Sequence, residues 1–89
     1  IIINDGSVDN SHDIINEFSL QDSRIVPIHQ ENIGLTKSLN KGVSLARGYY
    51  IARIDADDVS YEQRLEKQYN FLEQNKWFFY QIKKCILTL

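Results

Sequence analysis

The sequence has no methionine, a single cysteine, a single proline and no long apolar run. Cys85 alone excludes an intramolecular disulfide and a zinc site built on cysteines, and it suits a reducing compartment. The longest apolar stretches fall well short of the roughly 20 residues a membrane-spanning helix needs. No charge of one sign prevails: ten basic residues face twelve acidic ones, a net charge of −2, which argues against nucleic acid or an anionic membrane as main partner. No signal peptide is recognisable, since the start is not basic and no small-residue cleavage site follows an apolar segment. The phosphate-binding patterns GxxxxGK[ST] and GxGxxG are absent, as are repeats, low-complexity tracts and linkers.

What is present suits a small folded unit. At 89 residues, with 43% apolar and 25% charged residues, the chain is one small domain or a piece of a larger one. Charge is placed unevenly. The first 23 residues hold five acids (Asp5, Asp9, Asp13, Glu17, Asp22) and no lysine or arginine, while residues 76–89 hold three lysines and no acid. The opening Ile1-Ile2-Ile3 runs straight into Asn4-Asp5-Gly6-Ser7, which reads as a buried strand meeting a turn. A chain that opens inside a core strand is expected to be a fragment.

Alternating elements follow. Asn10 and Asp13 stand in N-cap and N3 positions before Ile14, Ile15 and Phe18, which predicts a helix over about 10–19. Arg24 to His29 alternates like a short strand, with Pro27 marking an edge or an interrupted ladder. Leu35, Leu39, Val43 and Ala46 recur at helical spacing, with Gly48 placed as a helix-ending glycine. Tyr49 to Ile54 reads as a third strand, Asp55 to Asp58 as a loop, and Tyr61, Leu65, Tyr69 and Leu72 as the apolar face of a helix over 61–75. This β-α-β-α-β-loop-α order predicts an α/β fold with a parallel sheet. In such a sheet the carboxyl ends of the strands share one edge, where ligands bind. Asp5 and Asp55, about fifty residues apart, are both expected there, as is the first turn of the helix at 35–47.

Asp55-Ala56-Asp57 is the sharpest chemical feature. In an extended segment residues i and i+2 project to one side, so Asp55 and Asp57 would converge while Asp58 points elsewhere. Two adjacent carboxylates repel unless a cation lies between them, and a hard ion such as Mg²⁺ or Mn²⁺ would leave positions for phosphate oxygens. The alternative is an acidic surface loop that caps the next helix. A calcium loop counted from Asp55 fails, with Val59 at its fifth position and Ser60 where glycine is required. His12 and His29 lack ligand spacing and read as surface or strand-end residues.

Three ordered segments resemble a known family. Residues 1–11 (IIINDGSVDNS) are similar to the (V/I)NDGSxDxS segment of family 2 glycosyltransferases with the GT-A fold. Residues 32–42 (NIGLTKSLNKG) resemble their NxGLxxxxNxG stretch, and residues 46–58 (ARGYYIARIDADD) their A(K/R)GxYIxxxDxDD stretch. The resemblance covers residues 1 to about 75 and implies a partial, Rossmann-like GT-A domain over 1–75, followed by a divergent apolar tail over 76–89. The family's first strand–helix segment and its acceptor region, which carries the general base, have no counterpart in these residues.

The resemblance implies an inverting, metal-dependent enzyme that moves a sugar from a nucleotide-sugar, a UDP-sugar above all, to a hydroxyl of a saccharide or lipid-linked acceptor, as in polysaccharide biosynthesis. Asp5 would accept a hydrogen bond from the nucleotide base, Asp55 would lie near ribose and metal, and Asp57 would ligate Mg²⁺ or Mn²⁺. Read without the family, Asp5 in Asp-Gly-Ser is also ordinary turn chemistry. Where many relatives place an arginine for the diphosphate this chain has Leu39; Lys37 could supply that charge, or be a solvated surface lysine. Asn40 and Gly42 are expected to matter for close helix–sheet approach. The location implied is cytoplasmic, or the cytoplasmic face of a membrane for a longer protein. The isolated chain is expected to self-associate and to lack turnover. Rival readings are a truncated non-catalytic remnant that at most binds nucleotide and metal, and a nucleotidyltransferase or phosphatase-like enzyme using the same carboxylates.

Overall fold

The computed structural model describes residues 1–76 and 86–87. The chain divides into two units, Ile1–Ala46 and Arg47–Leu89. In the first, β1 (Ile2–Asp5), α1 (Ser11–Gln21), β2 (Pro27–Gln30) and α2 (Leu35–Leu45) follow one another. The β-branched opening forms β1 as its composition demands, and β1 pairs in parallel with β2, in register from Ile2 opposite Pro27 to Asp5 opposite Gln30. Pro27 begins β2 rather than interrupting it, the one place in a strand where its missing N–H costs least. α1 packs against both strands and α2 against β1.

Glycine sets two of these joints. Gly6 has φ +79°, and a Cβ there would lie 2.8 Å from the backbone nitrogen of Asn32, so the turn after β1 admits no side chain. At Gly42 a Cβ would come 3.2 Å from Cδ1 of Ile3, which is the close approach of α2 to β1 expected from the sequence.

Capping departs from expectation. Asn10 occupies the N-cap of α1 without a side-chain bond. The neighbouring Asp9 does the work instead, its Oδ1 accepting from the N–H of Ser11 at 3.0 Å. At the other end Asp22 accepts from the N–H of Arg24 at 2.9 Å and pairs with its guanidinium at 2.6 Å. That Arg24 fork, and then its N–H, pull the Asp22 carboxyl down to about 2. Gly48 does not close α2, because the chain is already extended at Ala46. The two histidines also come together: His12 on α1 and His29 on β2 have ring centroids 3.9 Å apart. Asn16 bridges them, taking a bond from His29 Nε2 at 2.9 Å and giving one to His12 Nδ1 at 3.2 Å. Spacing along the chain hid this pair, since the packing of α1 against β2 creates it.

The second unit holds β3 (Ile51–Ala52), α3 (Arg64–Gln74) and β4 (Ile86–Leu87). β3 and β4 pair in parallel, Ile51 opposite Ile86 and Ala52 opposite Leu87. β3 is shorter than the predicted 49–54, and α3 begins three residues after Tyr61, whose carbonyl instead accepts from the N–H of Arg64 in a turn. Tyr50 donates to Glu73 Oε1 at 2.8 Å, and Glu73 pairs with Lys76 at 2.6 Å. Among the described residues Leu72 is the one buried apolar side chain, 2% exposed. Much of the apolar tail predicted over 76–89, Cys85 included, lies outside the described residues.

Candidate functional site

Sequence reading singled out four residues, and they fall in two places. Asp5 and Lys37 belong to the first unit, Asp55 and Asp57 to the second.

Asp5 ends β1, and both its oxygens are engaged. Oδ1 accepts from Gln30 Nε2 at 2.8 Å and from the N–H of Ile33 at 2.9 Å, while Oδ2 accepts from the N–H of Gly34 at 2.9 Å. The carboxylate therefore clamps the loop leading into α2, beside the positive end of that helix. The N–H of Ile33 first, then the Gln30 amide, with Gly34 and Ser38 adding less, hold its carboxyl below the ordinary 3.8 against a smaller opposing effect of burial. Gln30 extends the network, giving a bond to Ser38 Oγ at 2.9 Å and taking one from Lys41 Nζ at 2.8 Å. Asn4, buried at 6% exposed, fixes the following turn by accepting from the N–H of Ser7 at 2.9 Å. Gln30, Ser38 and Asn4 were not singled out by the sequence: the predicted strand stopped at His29, and Gln30's place opposite Asp5 comes from the observed register. Lys37 stands exposed in the first turn of α2 and forms no ion pair among the described residues.

The acidic segment is not extended. The N–H of Asp58 bonds the carbonyl of Asp55 at 3.1 Å, closing a turn with Ala56 and Asp57 at its centre. The strand-like alternation that was to bring Asp55 and Asp57 together therefore does not hold here, because β3 ends at Ala52. Asp55 and Asp58 instead line a cleft of about 590 Å³, together with Arg53, Ser60, Arg64 and Lys67. Asp57 is exposed on the turn and absent from that lining. Arg53 Nε and Nη2 donate to Asp55 Oδ1 at 2.9 and 2.5 Å, and Arg64 Nη2 donates to the carbonyl of Arg53. Arg53 stands two before Asp55, a spacing the sequence shows; Arg64 enters only through the fold.

The cleft mixes three cations with two carboxylates, and the side-chain atoms it offers a metal are oxygens, from Asp55 and Asp58 above all, with Ser60, Tyr61 and Gln63 beside them. Among the described residues no three His, Cys, Asp or Glu side chains are grouped to hold an ion unaided. Such a donor set fits a hard cation that takes its remaining ligands from water and phosphate, as Mg²⁺ does, rather than one needing a full protein cage.

The family model described as Glycosyl transferase family 2 matches residues 1–86. The chain is similar to an uncharacterized glycosyltransferase of Methanocaldococcus jannaschii, 42% identical over 77 residues, which are 85% of this chain and 27% of that protein. It is similar to glycosyltransferase GlyG of Streptococcus pneumoniae, 40% identical over 75 residues, 83% of this chain and 25% of that one. Uncharacterized glycosyltransferase EpsJ of Bacillus subtilis is 38% identical over 76 residues, 85% of this chain and 22% of its own length. The chain thus spans about a quarter of the length of these relatives. No solved structure gives a significant match.

Proposed function

The chain belongs to glycosyl transferase family 2, and from that membership we propose that it carries the donor-binding part of a sugar transfer from a nucleotide-sugar, a UDP-sugar above all, to a hydroxyl of a saccharide or lipid-linked acceptor. The reaction is inverting: the acceptor oxygen bonds the anomeric carbon as the bond to the diphosphate breaks. The observation that carries this reading is the acidic turn Asp55–Asp58 opening on a cleft that also holds Arg53, Arg64 and Lys67. A lining of both signs suits a diphosphate with its divalent counter-ion better than it suits a neutral ligand.

Mg²⁺ or Mn²⁺, bound at this turn, would offset the charge that develops on the departing diphosphate. Asp55 and Asp57 are the ligands we assign, by family position, with Asp58 the competitor that the turn introduces. Asp5 binds the nucleotide base: Oδ2 accepts one bond and keeps a lone pair for a second. Lys37, which forms no ion pair among the described residues, is assigned to the nucleotide. The location proposed is the cytoplasm or the cytoplasmic face of a membrane.

Calorimetry of the 89-residue chain with Mn²⁺ and UDP tests the reading. Asp57→Asn and Asp55→Asn are each expected to weaken Mn²⁺-dependent UDP binding about tenfold or more, consistent with loss of a charged ligand. Binding that neither substitution changes would overturn it.

A further inference from the structure

Arg53 and Asp55 make an unusual ion pair. Both guanidinium bonds fall on one oxygen, Oδ1, at 2.9 and 2.5 Å, rather than spreading over both oxygens as a bidentate fork does. Asp55 Oδ2 takes no hydrogen bond among the described residues. The Asp55 side chain is 44% exposed and that of Arg53 25% exposed, so the pair is open to solvent and contributes little to holding itself together. The Arg53 backbone, by contrast, is fastened by the Arg64 guanidinium on its carbonyl. The residue is thus anchored at its main chain, while its charged tip is held, inside the cleft, by one oxygen of a partly exposed carboxylate.

We propose that Arg53 is a partner-exchanging binding residue. In the free chain its guanidinium neutralises Asp55; when a divalent cation takes Asp55, the guanidinium is released onto the diphosphate oxygens that the cation brings. This rests on the metal–diphosphate reading above. The exchange follows from charge balance. A doubly charged ion outcompetes a guanidinium for a single exposed carboxylate, and the displaced cation, still anchored, then needs an anion within reach of the same cleft. A diphosphate offers paired oxygens that match the guanidinium fork. The cleft therefore holds its own diphosphate cation, a role that sequence reading gave to Lys37.

The exchange predicts effects of opposite sign, which a merely structural arginine would not produce. In calorimetry, Arg53→Gln should bind Mn²⁺ alone about two- to fivefold more tightly, the internal competitor being gone. At saturating Mn²⁺ the same variant should bind UDP about tenfold more weakly, with Arg53→Lys recovering part of the loss. In the unsubstituted chain, the Arg53 Nε–H resonance should shift when Mg²⁺ is added and again when UDP follows. Circular dichroism checks that the variants fold; if Arg53→Gln does not, Arg53→Lys and the resonance decide the matter. Should both affinities move the same way, or neither move, while the parent chain binds Mn²⁺ and UDP, partner exchange alone is overturned. Should the parent chain bind neither, the metal–diphosphate reading fails and this proposal with it.

Discussion

Asp5 has a structural task in this fold, and the base-binding role we propose for it would be added to that task. Its carboxylate holds the N–H groups of Ile33 and Gly34 and the Gln30 amide, so the first consequence of losing it is a loosened loop. Those bonds lower its pKa in the folded chain below 3.8. A depressed carboxyl adds stability that is complete above the unfolded value and is lost as pH falls through the folded one. Chemical denaturation should therefore show the parent chain losing stability below about pH 4, and Asp5→Asn should remove that part of the slope. An unchanged slope would mean the clamp is not ionised. The proposed base contact has its own readout: Asp5→Ala should weaken UDP more than ADP, because uracil presents its imide N–H to the free lone pair where adenine presents the acceptor N1. Equal weakening would leave the clamp as its whole role. At the acidic turn, Asp57→Asn should cost more Mn²⁺ affinity than Asp58→Asn, and the reverse order would give the ligand position to Asp58, which the cleft lining includes.

Elements were more legible than the contacts that join them. β1, α1, β2 and α2 follow from the isoleucine run, two helical apolar stripes and the turn glycines, because periodicity and turn chemistry are local properties. Asp5 was legible as a turn residue at a strand end for the same reason, sitting where a strand meets a glycine turn. The Asp5–Gln30 bond was not, since it depends on a register that brings residues 25 positions apart together, and the Gln30–Ser38 bond and the histidine pair were not, since they depend on how α2 and α1 meet β2. The acidic turn was misread because the expected strand was carried past Ala52, and the i, i+2 rule holds only while the backbone stays extended. Glycine substitutions test the joints. Gly6→Ala should destabilise by about 1–2 kcal/mol or more, combining a left-handed residue with a Cβ 2.8 Å from backbone. Gly42→Ala should be near neutral, since about 0.8–1.0 kcal/mol of helix propensity is set against a 3.2 Å contact with the movable end of Ile3. Equal losses in urea denaturation would mean that space, and not backbone conformation, governs both sites.

At the scale of the whole molecule, the question is what an α/β chain does with apolar surface it leaves in water. Ile14 and Phe18 on α1, Leu35 on α2, and Leu65 and Phe71 on α3 are all exposed, although helical periodicity marked most of these positions as core. Leu72 alone among described apolar residues is withdrawn from solvent. At roughly 25 cal/mol per Å² of apolar area, a few such side chains covered by a neighbour outweigh any single hydrogen bond in either unit. Strand edges act in the same direction, since among the described residues β1–β2 and β3–β4 are each two-stranded, and a two-stranded sheet has an edge on either side. The 89-residue chain purified alone should therefore associate with itself, with a mass in light scattering that rises with concentration, and should unfold at low urea. It should bind UDP in the presence of Mn²⁺ yet show no sugar transfer to any acceptor, because the carboxylates we assign among the described residues go to the donor and its metal and none is assigned to deprotonate an acceptor hydroxyl. A stable monomer that turns over a UDP-sugar would show that burial in this chain is sufficient and that the base lies among these residues after all.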